Sequence, residues 1–296
     1  MEKIILNKLP VPTFGWLKVN SAERDAAAFG TGKEREVLLA DGSRAELSGG
    51  RSVFEVTAAE NEKTSAVIYI SGSEGKDITT NVKAAAGAEV KLVQVYENSG
   101  PAIGSVNADI AENAAFELVQ LYIGGKDTVS GIYADLAGRN SRFKADIGYL
   151  LDGDEKLDIN LVASHAGKKS QSEISVKGVM RGSSEKTFRG TIDFLNGSSG
   201  AKGAENEEVL LLDETVRNKT VPLILCAEED VEGSHGASIG RIDEAQIFYM
   251  QSRGIPVDKI YELTARSRIA QVVSKISDKD TADRVNAILT GGEEDG

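Results

Sequence analysis

One cysteine among 296 residues, Cys226, excludes an intrachain disulfide and any four-thiolate cluster made by this chain alone. Only two histidines, His165 and His235, accompany it, so the chain has little soft-metal chemistry of its own. Aromatic residues are 5% of the total with a single Trp, too few for the stacking platforms on which sugars are commonly held. Positive charge is also in deficit: 34 Lys and Arg against 46 Asp and Glu give a net charge of −12, which repels phosphate backbones and anionic lipid. Long apolar runs are missing. Val221–Ala227 is far below a membrane span, and Ile4-Ile5-Leu6 is too short for the core of a signal peptide. With a lone thiol and no leader-like start, a soluble cytoplasmic protein is expected.

What the chain does have is 41% hydrophobic content, enough for a sizeable core. From about Arg51 to Leu195 it reads as short alternating apolar segments punctuated by Gly, Asn, Asp and Ser, with no helix of normal length between them. Ala88-Glu-Val-Lys-Leu-Val-Gln-Val-Tyr96 and Ala114-Ala-Phe-Glu-Leu-Val-Gln-Leu-Tyr122 match at an offset of about 26 residues, a period suited to a coil that stacks like on like. Recurring glycines, among them Gly87, Gly104, Gly148 and Gly178, are read as its corners. The expected fold is mainly β: a right-handed parallel β-helix core with a small C-terminal α-helical domain. Residues 1–50 form an extended capping segment containing Leu9-Pro-Val-Pro-Thr-Phe-Gly-Trp-Leu17, residues 51–237 the β-helix, and residues 238–296 the helical domain. In that domain Ile239, Ile242, Ile247 and Phe248 are spaced for a first helix, placing His235 at its mouth. Gly254 and Pro256 stop it, Asp258 caps a second, Thr281–Leu289 forms a third, and a loose acidic tail, 291–296, follows. The terminal turns of such a coil expose unpaired backbone and call for a cap or a partner.

Three blocks resemble the SufB/SufD family of the SUF iron–sulfur cluster assembly system. The most specific is Ser234-His-Gly-Ala-Ser-Ile-Gly-Arg-Ile-Asp-Glu-Ala-Gln-Ile-Phe-Tyr-Met-Gln-Ser-Arg-Gly-Ile255, similar to the family's Ser-His-Gly-Ala-Thr-x-Gly-x-x-Asp-Glu-x-x-x-Phe-Tyr-x-x-Ser-Arg-Gly-Ile. Lys186-Thr-Phe-Arg-Gly-Thr-Ile192 with Ala204-Glu-Asn-Glu-Glu-Val-Leu-Leu-Leu212, and the Pro-interrupted segment 9–20, carry the rest. The resemblance implies a non-enzymatic scaffold. Asn206 stands where the SufB branch has a cysteine, and His235 matches the SufD histidine that faces that cysteine, so the chain resembles a short SufD with a reduced N-terminal helical region. It further implies a SufB-like partner, a SufC ABC-type ATPase docked on the C-terminal helices, and a transient cluster at the subunit seam, none of it held stably by the isolated chain. The second helix, flanked by Arg266, Arg268 and Lys275, is the expected docking surface.

For the site itself, His235 is the candidate metal and cofactor ligand, with Glu232 a secondary oxygen donor close to it in sequence. The plain alternative for His235 is a residue that only bonds a nearby carbonyl. His165 is expected to make a corner hydrogen bond, and Cys226 to be a small buried thiol. Two other functions remain open: a homodimeric scaffold acting without a distinct SufB, and, from a different class, a β-helix carbohydrate-active enzyme.

Overall fold

The structure is a computed structural model that describes residues 3–290, so the expected acidic tail lies outside the described residues. A short antiparallel hairpin comes first, β1 (Lys3–Leu6) and β2 (Ala22–Asp25). The strands of the coil follow: β3 (Arg35–Leu39), β4 (Ser43–Leu47), β5 (Gly50–Ala58), β6 (Lys63–Gly72), β7 (Lys76–Ala84), β8 (Glu89–Asn98), β9 (Ala102–Ile110), β10 (Ala115–Ile123), β11 (Asp127–Leu136), β12 (Arg142–Leu151), β13 (Lys156–His165), β14 (Gln171–Met180), β15 (Glu185–Phe194), β16 (Ala201–Leu211), β17 (Arg217–Cys226) and β18 (Val231–Gly240). Three helices close the chain, α1 (Glu244–Ser252), α2 (Val257–Val273) and α3 (Lys279–Leu289).

Odd-numbered strands β3 to β17 stack in one parallel sheet and even-numbered strands β4 to β18 in another, which makes a β-solenoid of about seven turns. The 26-residue repeat is the stacking itself. Gln120 donates its Nε2–H to Gln94 Oε1 at 2.7 Å, and Tyr96 stacks on Tyr122 with ring centroids 4.8 Å apart. Alternate residues of the strands fill the lumen, where identical neighbours pack on one another turn after turn.

One corner column explains how the chain turns. Asn61, Gly87, Asn113, Asn140, Lys169 and Gly200 all take positive φ, between 56° and 77°. Each donates its N–H to a carbonyl of the next turn, as Asn113 does to Arg139 at 2.8 Å and Asn140 to Lys168 at 2.9 Å. Asn tolerates this left-handed region better than other non-Gly residues, so it shares the column with Gly, and Lys169 is the one exception. Other glycines read as corners sit inside strands. Gly104 lies in β9 and Gly178 in β14, where an added Cβ would meet the rings of Tyr96 and Tyr149. They make room for lumen aromatics rather than turning the chain.

The helices pack on the outer face of the even sheet. Ile260, Ile269, Val272 and Val273 of α2 are buried against Val93, Val95, Val119 and Leu121 of the even sheet, each worth about 1.5–3 kcal/mol on burial. Arg284 of α3 lies over the Tyr69 ring and pairs with Glu46 and Glu97, fixing the third helix to the same face. On the opposite sheet the N-terminal segment is pinned by polar contacts. Arg189 of β15 donates to the Val19 carbonyl and makes a two-pronged pair with Asp158 at 2.6 and 3.1 Å, while Asn7 donates to the same carboxylate at 2.7 Å.

Three local expectations are corrected. Solenoid strands begin at Arg35, within the segment expected only to cap, and run to Gly240. Ile239 belongs to β18 and Ile242 to the loop after it, so the first helix starts only at Glu244, capped by the Asp243 side chain on Ala245 N–H. The second starts at Val257 after Pro256, leaving Asp258 in its first turn rather than at the cap.

Candidate functional site at the open end of the coil

The last turn has no successor. Strands β17 and β18, ten residues each, are the final strands of their sheets, and one side of each backbone is unpaired in the described chain. Long unpaired edges of this kind invite another chain. His235, Glu232, Cys226 and Asn206 lie in the last two turns, but not as expected, and His165 lies deeper in the coil.

His235 lies in the middle of β18, not at a helix mouth, and is exposed. Ser234-His-Gly-Ala-Ser238 has weak strand propensity, yet β16 templates it residue for residue, from Ala201 opposite Val231 to Leu210 opposite Gly240. In this register His235 follows Glu205, and its parity is that of the lumen-facing residues Ala201, Gly203, Glu205 and Glu207. Glu232 has the opposite parity. It follows Lys202 on the outer face, and its carboxylate is 2.7 Å from the Lys202 ammonium. Three residues apart on a strand, Glu232 and His235 project to opposite sides.

Cys226 ends β17 and is exposed, against the expectation of burial. It follows Phe194 in register and so has a lumen position, but the coil stops before another turn can cover it. Asn206 is exposed on β16, its amide 3.4 Å from Glu208. His165 closes β13 at a corner, fully buried, with Nδ1 and Nε2 each 2.8 Å from a hydroxyl, of Ser170 and Ser172. Burial alone pushes its pKa down to about 4.

Sequence reasoning missed the polar floor beneath the mouth. Lys186 of β15 and Glu207 of β16 are both fully buried and paired across the lumen, and Glu207 also accepts from Thr220 at 2.6 Å. Burial works against the Lys186 charge and lowers its pKa, with Glu207 partly restoring it. Glu205, 4% exposed, is pushed up to about 7, first by burial and then by Glu207. Its carboxylate lies over Gly190, where a Cβ would come within 1.8 Å of Oε2. Strand parity was the available signal: once β16 is a strand, Ala201, Gly203, Glu205 and Glu207 share its inner face.

A groove of about 1360 Å³ runs along the outer face of the even sheet beside the helices. Several of its charges pair with one another, as in Lys63–Glu89 at 2.8 Å and Lys91–Glu117 at 3.1 Å. Among the described residues no group of three or more His, Cys, Asp or Glu side chains is placed to hold a metal ion, and no helix is long and apolar enough to cross a membrane.

Fold and site together define a parallel β-solenoid that presents one open, histidine-bearing end and a helical appendage. Residues 43–267 match the family model described as SUF system FeS cluster assembly, SufBD core domain, and the chain belongs to that family. The iron-sulfur cluster assembly protein SufD of Bacillus subtilis (strain 168) is 34% identical over 124 residues, 42% of this chain and 28% of that protein. The SufBD family protein ycf24 of Trieres chinensis is 31% identical over 127 residues, 43% of this chain and 26% of its own length. A chloroplastic SufBD family protein of Arabidopsis thaliana, ABCI8, is 27% identical over 141 residues, 48% of this chain and 25% of that protein. The matched part thus spans about a quarter of each of these relatives.

Proposed function

We propose that the chain is a SufD-like scaffold subunit. It offers His235, from the edge of its open coil, to a nascent iron–sulfur cluster completed by a cysteine-bearing, SufB-like chain. The observation that carries this reading is the position of His235 in the middle of a ten-residue strand with one unpaired side. A second coil paired along β17 and β18 would cover that edge and bring its own donors to the imidazole, and thiolate with imidazole suits iron. One chain lacks the donors to close a site, so the cluster belongs to the seam and leaves when the seam is distorted.

A SufC-type ATPase is assigned to the C-terminal helices. The apolar stripe of α2 does not serve for this, since it is buried on the even sheet, and Arg268 is engaged with Glu208 at 3.2 Å. Helix α1 is the available surface: Phe248 and Tyr249 are 74% and 57% exposed. The carbohydrate-enzyme alternative finds less support, because the carboxylates of the large groove are held by neighbouring lysines.

The test is co-expression with a SufB-like chain and its ATPase, followed by anaerobic iron and sulfide analysis. His235→Ala should lower cluster yield at least about tenfold, the scale on which metal sites respond to their supporting residues, with the complex still assembled. Unchanged yield removes His235 from the mechanism.

A further inference from the structure

The buried charges under the mouth do not balance. Glu205 and Glu207 face a single cation, Lys186, and that ammonium is bonded to Glu207 and to Thr220. Glu205 is left as a carboxyl 4% exposed, with no hydrogen bond to either oxygen among the described residues. A buried carboxylate without a partner is costly unless it takes a proton or meets a cation. The turn below it is filled by buried apolar side chains, Ile174 in register with Glu205 and Val176 with Glu207, so a cation reaches it from the open end, past β18.

On that strand the in-register neighbour of Glu205 is His235. Adjacent parallel strands lie about 4.8 Å apart, so same-face neighbours can bring a carboxylate oxygen and an imidazole nitrogen onto one ion at roughly 2.1 Å from each. Gly190 across the lumen leaves the carboxylate its space. Glu232, by contrast, is on the other face and already paired.

We infer that Glu205, and not Glu232, is the oxygen donor that acts with His235, so that the mouth of the lumen binds a divalent transition-metal ion through one carboxylate and one imidazole. This rests on the scaffold reading for the identity of the metal as iron, and the remaining coordination positions are filled by water or by the covering chain. Within the isolated chain it is a weak, exchangeable site rather than a resident centre.

The test uses the full chain alone and Co²⁺, read by visible absorption and by calorimetry, with no cluster assembly involved. One Co²⁺ should bind per chain, and Glu205→Gln and His235→Ala should each weaken it at least about tenfold, while Glu232→Gln stays within about twofold. Glu205→Met, which removes every donor, should behave as Glu205→Gln does. Both Glu205 variants should melt no lower than the parent, because each removes an unpaired buried acid, and this separates loss of a ligand from loss of fold. Absence of Co²⁺ binding at about 1 mM, the weakest affinity that would count as a site, overturns the inference. Glu205→Gln binding as the parent does, or Glu232→Gln carrying the loss, overturns it too. Failure of the scaffold reading would appear elsewhere, as a co-expressed complex that builds no cluster whether or not Co²⁺ binds here.

Discussion

Acid should unfold this solenoid in part through one histidine. His165 is sealed in the lumen with its ring 4.9 Å from Phe194, and both ring nitrogens face hydroxyls. Neutral imidazole suits that setting, since one nitrogen donates to a hydroxyl and the other accepts from its partner. Protonation leaves a charge in an apolar column with no carboxylate bonded to it. The folded pKa is pushed down to about 4, whereas an unfolded histidine titrates near 6.5. A depressed histidine contributes stability that is complete above pH 6.5 and is lost as pH falls from there toward 4. With about 1.4 kcal/mol per unit, the loss reaches about 3 kcal/mol at pH 4.

His165→Gln isolates this effect from every other titrating group. At pH 8 the variant should be less stable by about 2–3 kcal/mol, from a smaller side chain and a poorer match to Ser170 and Ser172. At pH 4 the parent has lost its advantage and the gap should shrink to near zero. Urea unfolding followed by circular dichroism at pH 8, 6 and 4 measures the gap directly. A gap that stays constant across that range would refute the assignment of a neutral, desolvated imidazole.

Two other substitutions probe the frame that places the site. Arg189→Met should cost about 3–5 kcal/mol by stranding Asp158, and should expose Ala22–Asp25 to fast amide exchange before the coil opens; adding Asp158→Leu should recover most of the loss. Gly178→Ala places a Cβ 1.9 Å from the buried Tyr149 ring, so the strand or the ring must shift, and a penalty of about 3 kcal/mol or more should appear as a lower Tm. An unchanged Tm would mean that the Tyr149 ring is free to move aside.

The coil was legible where successive turns have equal length. Leu-Val-Gln and Tyr repeat at 26 residues, and in the structure those glutamines and tyrosines touch across that interval. Farther on the turns lengthen, so that Lys177 meets Glu208 after 31 residues, and the repeat disappears from the sequence although the stacking continues. The first strands escaped notice because β3 and β4 are five residues each and carry few lumen side chains. The end of the coil was misread for a related reason. Gly233 to Ser238 has neither β-branched residues nor apolar alternation, so only the template provided by β16 makes it a strand.

The candidate site was half legible for the same physical cause. A distinctive local motif singled out His235, but the choice of its partner depends on which face of a strand each acid occupies. Nearness in sequence favoured Glu232, while strand parity separates it from His235 and leaves Glu205 beside the histidine. Ala204-Glu-Asn-Glu-Glu208 has no apolar alternation to mark an inner face, and only the register of β16 assigns Glu205 and Glu207 to the lumen. A sequence selected only for stability would put an apolar residue at position 205, as it does at Ile174, the register neighbour of Glu205 one turn deeper in the coil. The acid sits instead one strand from the open edge, the last layer that a covering chain or an ion can still reach. Local energetic cost and access coincide at that layer, the pattern expected where a fold gives up stability for a binding role.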